Sequence, residues 1–195
     1  ITNGAVTGRA THMYPNVAQV PSVSVPYGKQ CRELFYTPNG YKLVGVDVSG
    51  LELRVLAHFL SKYDDGEYAN EVVKGDIHTY NQKSAGLATR NLAKTFIYAF
   101  LYGSGDRRIA SITGKTVKEA KELKEKFLKN TPAIARLRKD VLNAVEVKGF
   151  LRGIDGRVLS IRSPHSALNT LIQSAGALIV KQATIFLHEK IKEEK

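Results

Sequence analysis

Arg90, Lys94, Tyr98 and Tyr102 follow one another at four-residue steps. On a helix, that spacing puts them along one slowly drifting face. Two cations followed by two aromatics suit a triphosphate followed by a sugar and base. The plainer reading is a solvated Arg/Lys pair beside two core tyrosines. The residues between them, Phe96, Ile97, Ala99, Phe100 and Leu101, are so apolar that the cationic-then-aromatic stripe stands out. A second candidate is Asp47, alone in the run LVGVDVSG at 43–50. A carboxylate among valines is costly unless it is exposed, paired or bound to a metal. At a strand end that leads into a helix N-terminus, it suits a divalent cation or a phosphate. His165, Asn169 and Gln173 form a third set at i, i+4 and i+8. Such side chains can read base edges, including the minor-groove acceptors shared by all base pairs. Equally, they can be the polar face of a helix. Ser49-x-x-Glu52 has the form of a capping box.

These residues need elements to hold them. Residues 41–48 alternate like a strand, and 49–62 carry apolar residues at helical spacing. A turn is expected at 62–68, and a short helix over 76–86 that stops near Gly86. An apolar helix is predicted over 88–103, with Gly103 as its stop signal. Residues 117–130 read as a charged amphipathic helix, after which Thr131-Pro132 starts another. Asp155-Gly156 marks a β-hairpin over 150–162, and 166–194 read as one long helix. Residues 1–30, rich in Gly, Pro, Ser and Thr, read as irregular backbone with short extended pieces. The expected class is α+β, helix-rich with a small antiparallel sheet.

The totals agree with a packed domain that meets a polyanion. Of 195 residues, 43% are hydrophobic, and 29 Lys and Arg against 18 Asp and Glu leave a formal charge of +11. Such an excess favours nucleic acid over a membrane surface as partner. The single cysteine, Cys31, rules out an intrachain disulfide. No apolar run of about 18 residues is expected to cross a membrane. The chain opens on Ile1 without a signal-peptide pattern, which reads as a cut end. Two further motifs are incomplete. GSGDRRIASITGKT lacks the Gly that a phosphate loop needs at 109, where Ile109 stands. His188-Glu189 has no second His four residues away to make a zinc helix.

Taken together, the motifs resemble those of the family A (polymerase I-like) DNA polymerases, and within them most the replicative enzymes of T-odd phages. DVSGLELR at 47–54 resembles motif A of that family. RNLAKTFIYAFLYG at 90–103 resembles motif B, with R-x-x-x-K-x-x-x-[FY]-x-x-x-Y-G complete. TGRATHMYPNVAQVP, GDIHT and SPHSALNTLIQSAGAL are similar to further blocks in the family's order.

The resemblance implies part of a right-hand polymerase, with fingers helices and a small antiparallel palm sheet. It assigns 1–62 to the palm with motif A, 63–149 to the fingers with motif B, and 150–195 to a hairpin and long helix returning to the palm. It implies DNA-templated DNA synthesis with two Mg²⁺ ions. Asp47 resembles the first metal-binding aspartate, with the Val48 carbonyl as a further ligand. Glu52 resembles the gate that excludes a 2′-hydroxyl; His78, Arg90 and Lys94 resemble the triphosphate contacts. Tyr98 resembles the residue against the incoming sugar, and Tyr102 the aromatic at the templating position. Arg9, His165, Asn169 and Gln173 resemble the contacts to the minor groove and primer terminus.

The family's second metal motif, a His-Asp-Glu hairpin, is missing, as are the thumb and the proofreading exonuclease. The implied partners are therefore primer-template DNA, a dNTP and a complementing polymerase segment, in the cytoplasm, with no membrane and no processivity factor identified. The alternatives are a non-catalytic nucleic-acid-binding fragment and a single-subunit RNA polymerase. Glu52 speaks against the latter, because a bulky acid under the sugar would clash with a ribose.

Overall fold

The computed structural model describes Ile1 and residues 3–194. It contains two compact units, Ile1–Ser49 and the chain from Gly50 onward.

The first unit holds little regular structure. A 3-10 turn spans Val17–Gln19, where the Asn16 side chain accepts from the Ala18 N–H. The expected irregular backbone also contains a short helix, α1 (Gly28–Glu33). Arg32 ties α1 to the preceding loop by donating to the carbonyls of Pro21 and Val20, at 2.8 and 3.3 Å.

The strand predicted over 41–48 is not formed. Its alternation is present in the side chains, but Val44 and Val46 are 81% and 85% exposed. A strand is a property of a pair, because its N–H and C=O groups need a neighbouring ladder. Among the described residues, no other segment pairs with this run.

The second unit is helical: α2 (Leu51–Asp64), α3 (Glu67–Val73), α4 (Ile77–Ala85), α5 (Arg90–Leu101), α6 (Asp106–Thr113), α7 (Val117–Asn130) and α8 (Pro132–Lys148). A two-stranded antiparallel hairpin follows, β1 (Phe150–Arg152) and β2 (Val158–Ser160), in the register Phe150↔Ser160. A 3-10 turn, Pro164–Ser166, then leads into α9 (Ala167–Glu193).

Local signals explain most boundaries. Thr116 and Glu119 form a reciprocal capping box at the start of α7. The buried Thr131 hydroxyl donates to the Phe127 carbonyl at 2.7 Å, closing α7, while Pro132 opens α8. The turn expected at 62–68 shrinks to Asp65-Gly66. There the Asp64 carboxylate accepts from the N–H groups of Gly66 and Tyr68 and starts α3 one residue later. The incomplete phosphate-loop sequence is α6 and its flanks, ending at Gly114 in the left-handed region.

The capping box expected at Ser49 is not made. Gly50, not Ser49, is the N-cap of α2, at φ 61°. In that conformation the backbone itself turns the chain into the helix one residue after Ser49.

The core runs through α2, α5, α7, α8 and the start of α9. Phe96 and Phe100 on α5 meet Phe127 on α7 edge to face, each with ring centroids at 5.3 Å. Leu53, Leu56 and Leu60 supply the α2 layer. Leu151 and Leu159, paired across the hairpin, are buried beneath it. The buried amide of Asn81 donates to the Tyr68 hydroxyl at 3.1 Å.

On α9, residues from Ala167 to Ala177 are mostly buried, whereas Ile179, Val180, Ile185, Phe186 and Leu187 are exposed. This corrects one expectation. The Pro164–Glu193 stretch is long and apolar enough, by length and composition, to cross a bilayer. A helix that is a core element in its first half passes the same test.

Phe127 touches both aromatic partners and is fully buried. Phe127→Ala should destabilise the second unit by about 3–5 kcal/mol, the usual cost of emptying a buried aromatic site. Urea unfolding followed by circular dichroism measures it. A loss below about 1 kcal/mol would mean that the cluster does not carry the core.

Candidate nucleotide site

α5 has two faces because its period forces them. Ala93, Phe96, Ile97, Phe100 and Leu101 point into the core. Arg90, Lys94, Tyr98 and Tyr102 run along the flank of that face and drift away from it, each half-buried or exposed. Thr89 starts the helix, its hydroxyl accepting from the Leu92 N–H at 3.2 Å. The predicted stripe is therefore present; of its two tyrosines, Tyr98 packs half-buried against the core and Tyr102 is exposed.

α4 brings His78 to this stripe, with its ring 6.4 Å from that of Tyr98. The Tyr98 ring is in turn 6.4 Å from that of Tyr102. The Tyr102 hydroxyl points to Glu52 Oε1 on α2 at 3.5 Å, a long contact. Glu52, His78, Tyr98 and Tyr102 thus line one continuous surface, with Arg90 and Lys94 at its far end. α2 is held against α9 by small-residue packing. A Cβ on Gly176 would come within 3.3 Å of the Leu51 side chain.

Gly103 ends the stripe for a steric reason. Its φ is +74°, and a Cβ there would lie 2.4 Å from the carbonyl oxygen of His165. No side chain fits, so the foot of α5 sits directly on the turn before α9. His165 is thereby placed against Gly103, and Asn169 and Gln173 follow on α9, both half-buried. A cleft of ≈ 340 Å³ opens at this junction, lined by Gly103, Ser104, Asp106, Lys124, Arg138 and His165, among others. Across it Lys124 pairs with Asp106 at 2.7 Å and holds that carboxyl below its usual range.

Electrostatics at the cationic end turn on Asp76, which the sequence reading quoted in GDIHT but gave no role. Arg90 donates to it through Nε at 2.6 Å and Nη2 at 3.0 Å. The Arg90 pair, and then Thr79, hold the Asp76 carboxyl far below the carboxylate range. The one available signal was its place immediately before a helix, where Asp caps. The His78 imidazole is pushed below its ordinary value, first by burial and then by the Arg90 and Lys94 charges, with Asp76 opposing. It is therefore a neutral ring at neutral pH, and its Nδ1 is buried without a hydrogen-bond partner. Burial, then the Glu52 charge, pushes the Tyr98 phenol up, so it remains a hydroxyl donor.

Asp47, Val48 and Arg9 belong to the first unit, where all three are exposed and Asp47 lies in irregular extended backbone. Among the described residues, no group of three or more His, Cys, Asp or Glu is placed to hold a metal ion. The Asp47 carboxylate and Val48 carbonyl are hard oxygen donors of the kind Mg²⁺ takes. Mg²⁺ needs about six oxygens around it, so these two supply only part of a site.

The family model for DNA polymerase family A matches residues 1–195. The chain is 51% identical to a DNA-directed DNA polymerase of Enterobacteria phage T3, over 98% of this chain and 30% of that protein. The same identity and coverage hold for the DNA-directed DNA polymerase of Escherichia phage T7. DNA polymerase I of Bacillus caldotenax is 30% identical over 97% of this chain and 24% of its own length. The POL domain of Pol1 from M. smegmatis, solved in complex with DNA primer-template and dNTP, shares the fold. The TM-score is 0.76 and the identity 24%, covering 97% of this chain and 37% of that one. The chain belongs to DNA polymerase family A. It spans 30% of the length of the phage relatives.

The position of His78 gives a direct check. In an NMR titration its ring should titrate below about 6.5, the ordinary histidine value. Because Asp76 raises it, Asp76→Asn should move the midpoint lower still. The folded state disfavours the protonated ring, so this group's contribution to stability is present above the ordinary value and falls as pH drops through it. An upward shift in the variant would show that Asp76 does not face the ring.

Proposed function

We propose that this chain carries the nucleotide-binding fingers and part of the palm of an enzyme that copies DNA by adding dNTPs to a primer 3′-hydroxyl. The observation that supports this most is the order of groups along one surface. Arg90 and Lys94 stand at one end, His78 and Tyr98 in the middle, and Glu52 and Tyr102 at the other. That order matches phosphates, sugar and base of one extended nucleotide.

Each group then has a task. Arg90 and Lys94 neutralise the triphosphate, and the neutral His78 ring offers a hydrogen bond without adding charge. Tyr98 packs against the sugar. Glu52, beside it, leaves no room for a 2′-hydroxyl and so selects deoxyribose. Tyr102 occupies the templating position until the template base displaces it. His165, Asn169 and Gln173, with Arg9, contact the primer-template and test pairing geometry through the minor groove. The net charge of +11 favours phosphate contacts that do not depend on sequence.

Asp47 and the Val48 carbonyl are the ligands this chain offers to Mg²⁺. Two such ions, when bound, activate the primer hydroxyl and stabilise the leaving pyrophosphate. The remaining carboxylate comes from a complementing segment with a His-Asp-Glu hairpin. Residues 1–62 and 150–195 form palm elements in this reading, and 63–149 the fingers. The exposed valines at 44 and 46, and the exposed apolar side chains of the second half of α9, are the surfaces that the rest of a palm would cover. The enzyme works in the cytoplasm, where DNA and dNTPs meet.

Primer extension tests the assignment. The 195-residue chain alone should not extend a primer. Joined to a thumb and the hairpin segment it should synthesise DNA, and Asp47→Asn should abolish that activity. Extension by the isolated chain would overturn the shared metal site. DNA binding without synthesis in the joined protein would favour a non-catalytic nucleic-acid-binding role. Acceptance of ribonucleotides as readily as deoxyribonucleotides would point to RNA synthesis.

In the joined enzyme, Lys94→Ala should weaken single-turnover dNTP incorporation by about tenfold or more, the scale of one charge-assisted hydrogen bond. Tyr98→Phe should raise discrimination against dideoxynucleotides, because the phenol can stand in for the interaction that a 3′-hydroxyl makes. Equal dideoxy-to-deoxy selectivity in parent and variant would remove Tyr98 from sugar recognition.

A further inference from the structure

We infer that Asp76 is a positioning residue for the triphosphate: it clamps one edge of the Arg90 guanidinium so that the other edge faces the phosphates. The inference rests on the reading of Arg90 as a phosphate contact and adds a residue that reading did not include.

The geometry is specific. Asp76 accepts four hydrogen bonds. Oδ2 takes Arg90 Nε at 2.6 Å and the Thr79 hydroxyl at 2.7 Å. Oδ1 takes Arg90 Nη2 at 3.0 Å and the His78 N–H at 3.1 Å. A carboxylate has about four lone-pair sites, so this one is saturated. It has no capacity left to approach a metal or a base, which separates it from Asp47 in role.

The bonds to Arg90 use the Nε–Nη2 edge. They leave both Nη1 protons and one Nη2 proton unclaimed by Asp76, along the edge that pairs bidentately with a phosphate. An Arg side chain carries much rotamer entropy, and a contact costs less when the fork is already oriented.

The clamp also joins two elements. Asp76 is the N-cap of α4, and its side chain accepts from the N–H of His78, the first-turn residue that faces Tyr98. Arg90 opens α5. One carboxylate therefore sets the start of α4 and the start of α5 against each other, and presents His78 and Arg90 as a unit. The Arg90 charge acts on Asp76, and the Arg90, Lys94 and Asp76 charges act together on His78.

The test uses the 195-residue chain, whose relevant residues all lie in the second unit. Inorganic tripolyphosphate is titrated by calorimetry at about 0.15 M salt, where the Debye length is about 8 Å. Asp76, held against Arg90 at 2.6 Å, lies within that length of a ligand on the free edge, so its repulsion works against the clamp and a loss of binding on its removal reads the clamp alone. Asp76→Asn keeps a capping side chain, and circular dichroism verifies its fold. The variant should weaken tripolyphosphate binding by about three- to fivefold, the upper range for an ordered exposed ion pair. In an Arg90→Ala background the same change should have no further effect. The Arg90 Nε–H resonance, protected in the parent, should exchange faster in Asp76→Asn.

Tighter binding in Asp76→Asn would make Asp76 a competitor rather than a clamp, and overturn the inference. Unchanged binding, or an equal loss with and without Arg90, would reduce Asp76 to a helix cap. Unchanged tripolyphosphate binding in Arg90→Ala alone would instead sink the reading of Arg90 as a phosphate contact, whatever Asp76 does.

Discussion

The packing of α5 against α7 is the constraint on which the second unit depends. Phe96 and Phe100 are buried side by side against Phe127, and each meets it edge to face. Edge-to-face contact has a preferred geometry, so it sets how α5 is rotated as well as how deeply it is buried. Once that rotation is set, the helical period decides what stands on the outer face. Arg90, Lys94, Tyr98 and Tyr102 are presented together because Ala93, Ile97 and Leu101 occupy the inner face. The chemistry of the stripe is thus a consequence of core packing. A core change that rotated α5 by one residue step, about 100° of helix, would turn the tyrosines away from His78 and Glu52.

The foot of α5 shows how a backbone constraint extends the site. Gly103 adopts a left-handed conformation against the His165 carbonyl, in space where a Cβ would collide. The helix therefore ends on the turn that begins α9. Gly103 and His165 become neighbours through this contact, although more than sixty positions separate them in the chain. In the proposed reading, the base end of the nucleotide and the duplex contacts meet at this junction. The cleft at this junction is lined by charged side chains, with the Lys124–Asp106 pair on its wall.

Much of this was legible in the sequence, for an identifiable reason. The helices carry their own signals: apolar periodicity, Thr116-x-x-Glu119 ahead of α7, Pro132 at the start of α8, and Gly86 after α4. Their boundaries follow those signals to within a few residues. The stripe on α5 was legible because four-residue spacing is a local fact. Interactions between elements were not. Asp76 and Arg90 are fourteen residues apart, with nothing in the sequence to join them (90 − 76 = 14). The 41–48 run failed as a strand for the same reason. Its alternating valines are a preference of single residues, while a strand needs a partner's backbone. Ser49 failed as a cap because Gly50 takes the turn itself at φ 61°. α3 was not read from the sequence: only its first two residues fall in the expected turn at 62–68, where Asp64, whose side chain accepts from two backbone N–H groups, restarts the helix almost at once.

The charge arrangement at the head of α5 follows from the same division between local and non-local. Arg90 and Lys94 at i and i+4 are like charges on adjacent turns, which costs an isolated helix a few tenths of a kcal/mol. They also lie in the first half of α5, toward the positive end of its dipole, the less favourable end for cations. Neither arrangement is what helix stability alone would select. Asp76 offsets both effects by bringing an anion to Arg90 from α4, and burial keeps His78 from adding a further positive charge. The head of α5 can therefore hold two cations on one face before any ligand arrives. A triphosphate that displaced Asp76 from Arg90 would have to compensate for two hydrogen bonds. One that binds the free edge of Arg90 need not, and the clamp can then remain closed with the ligand in place.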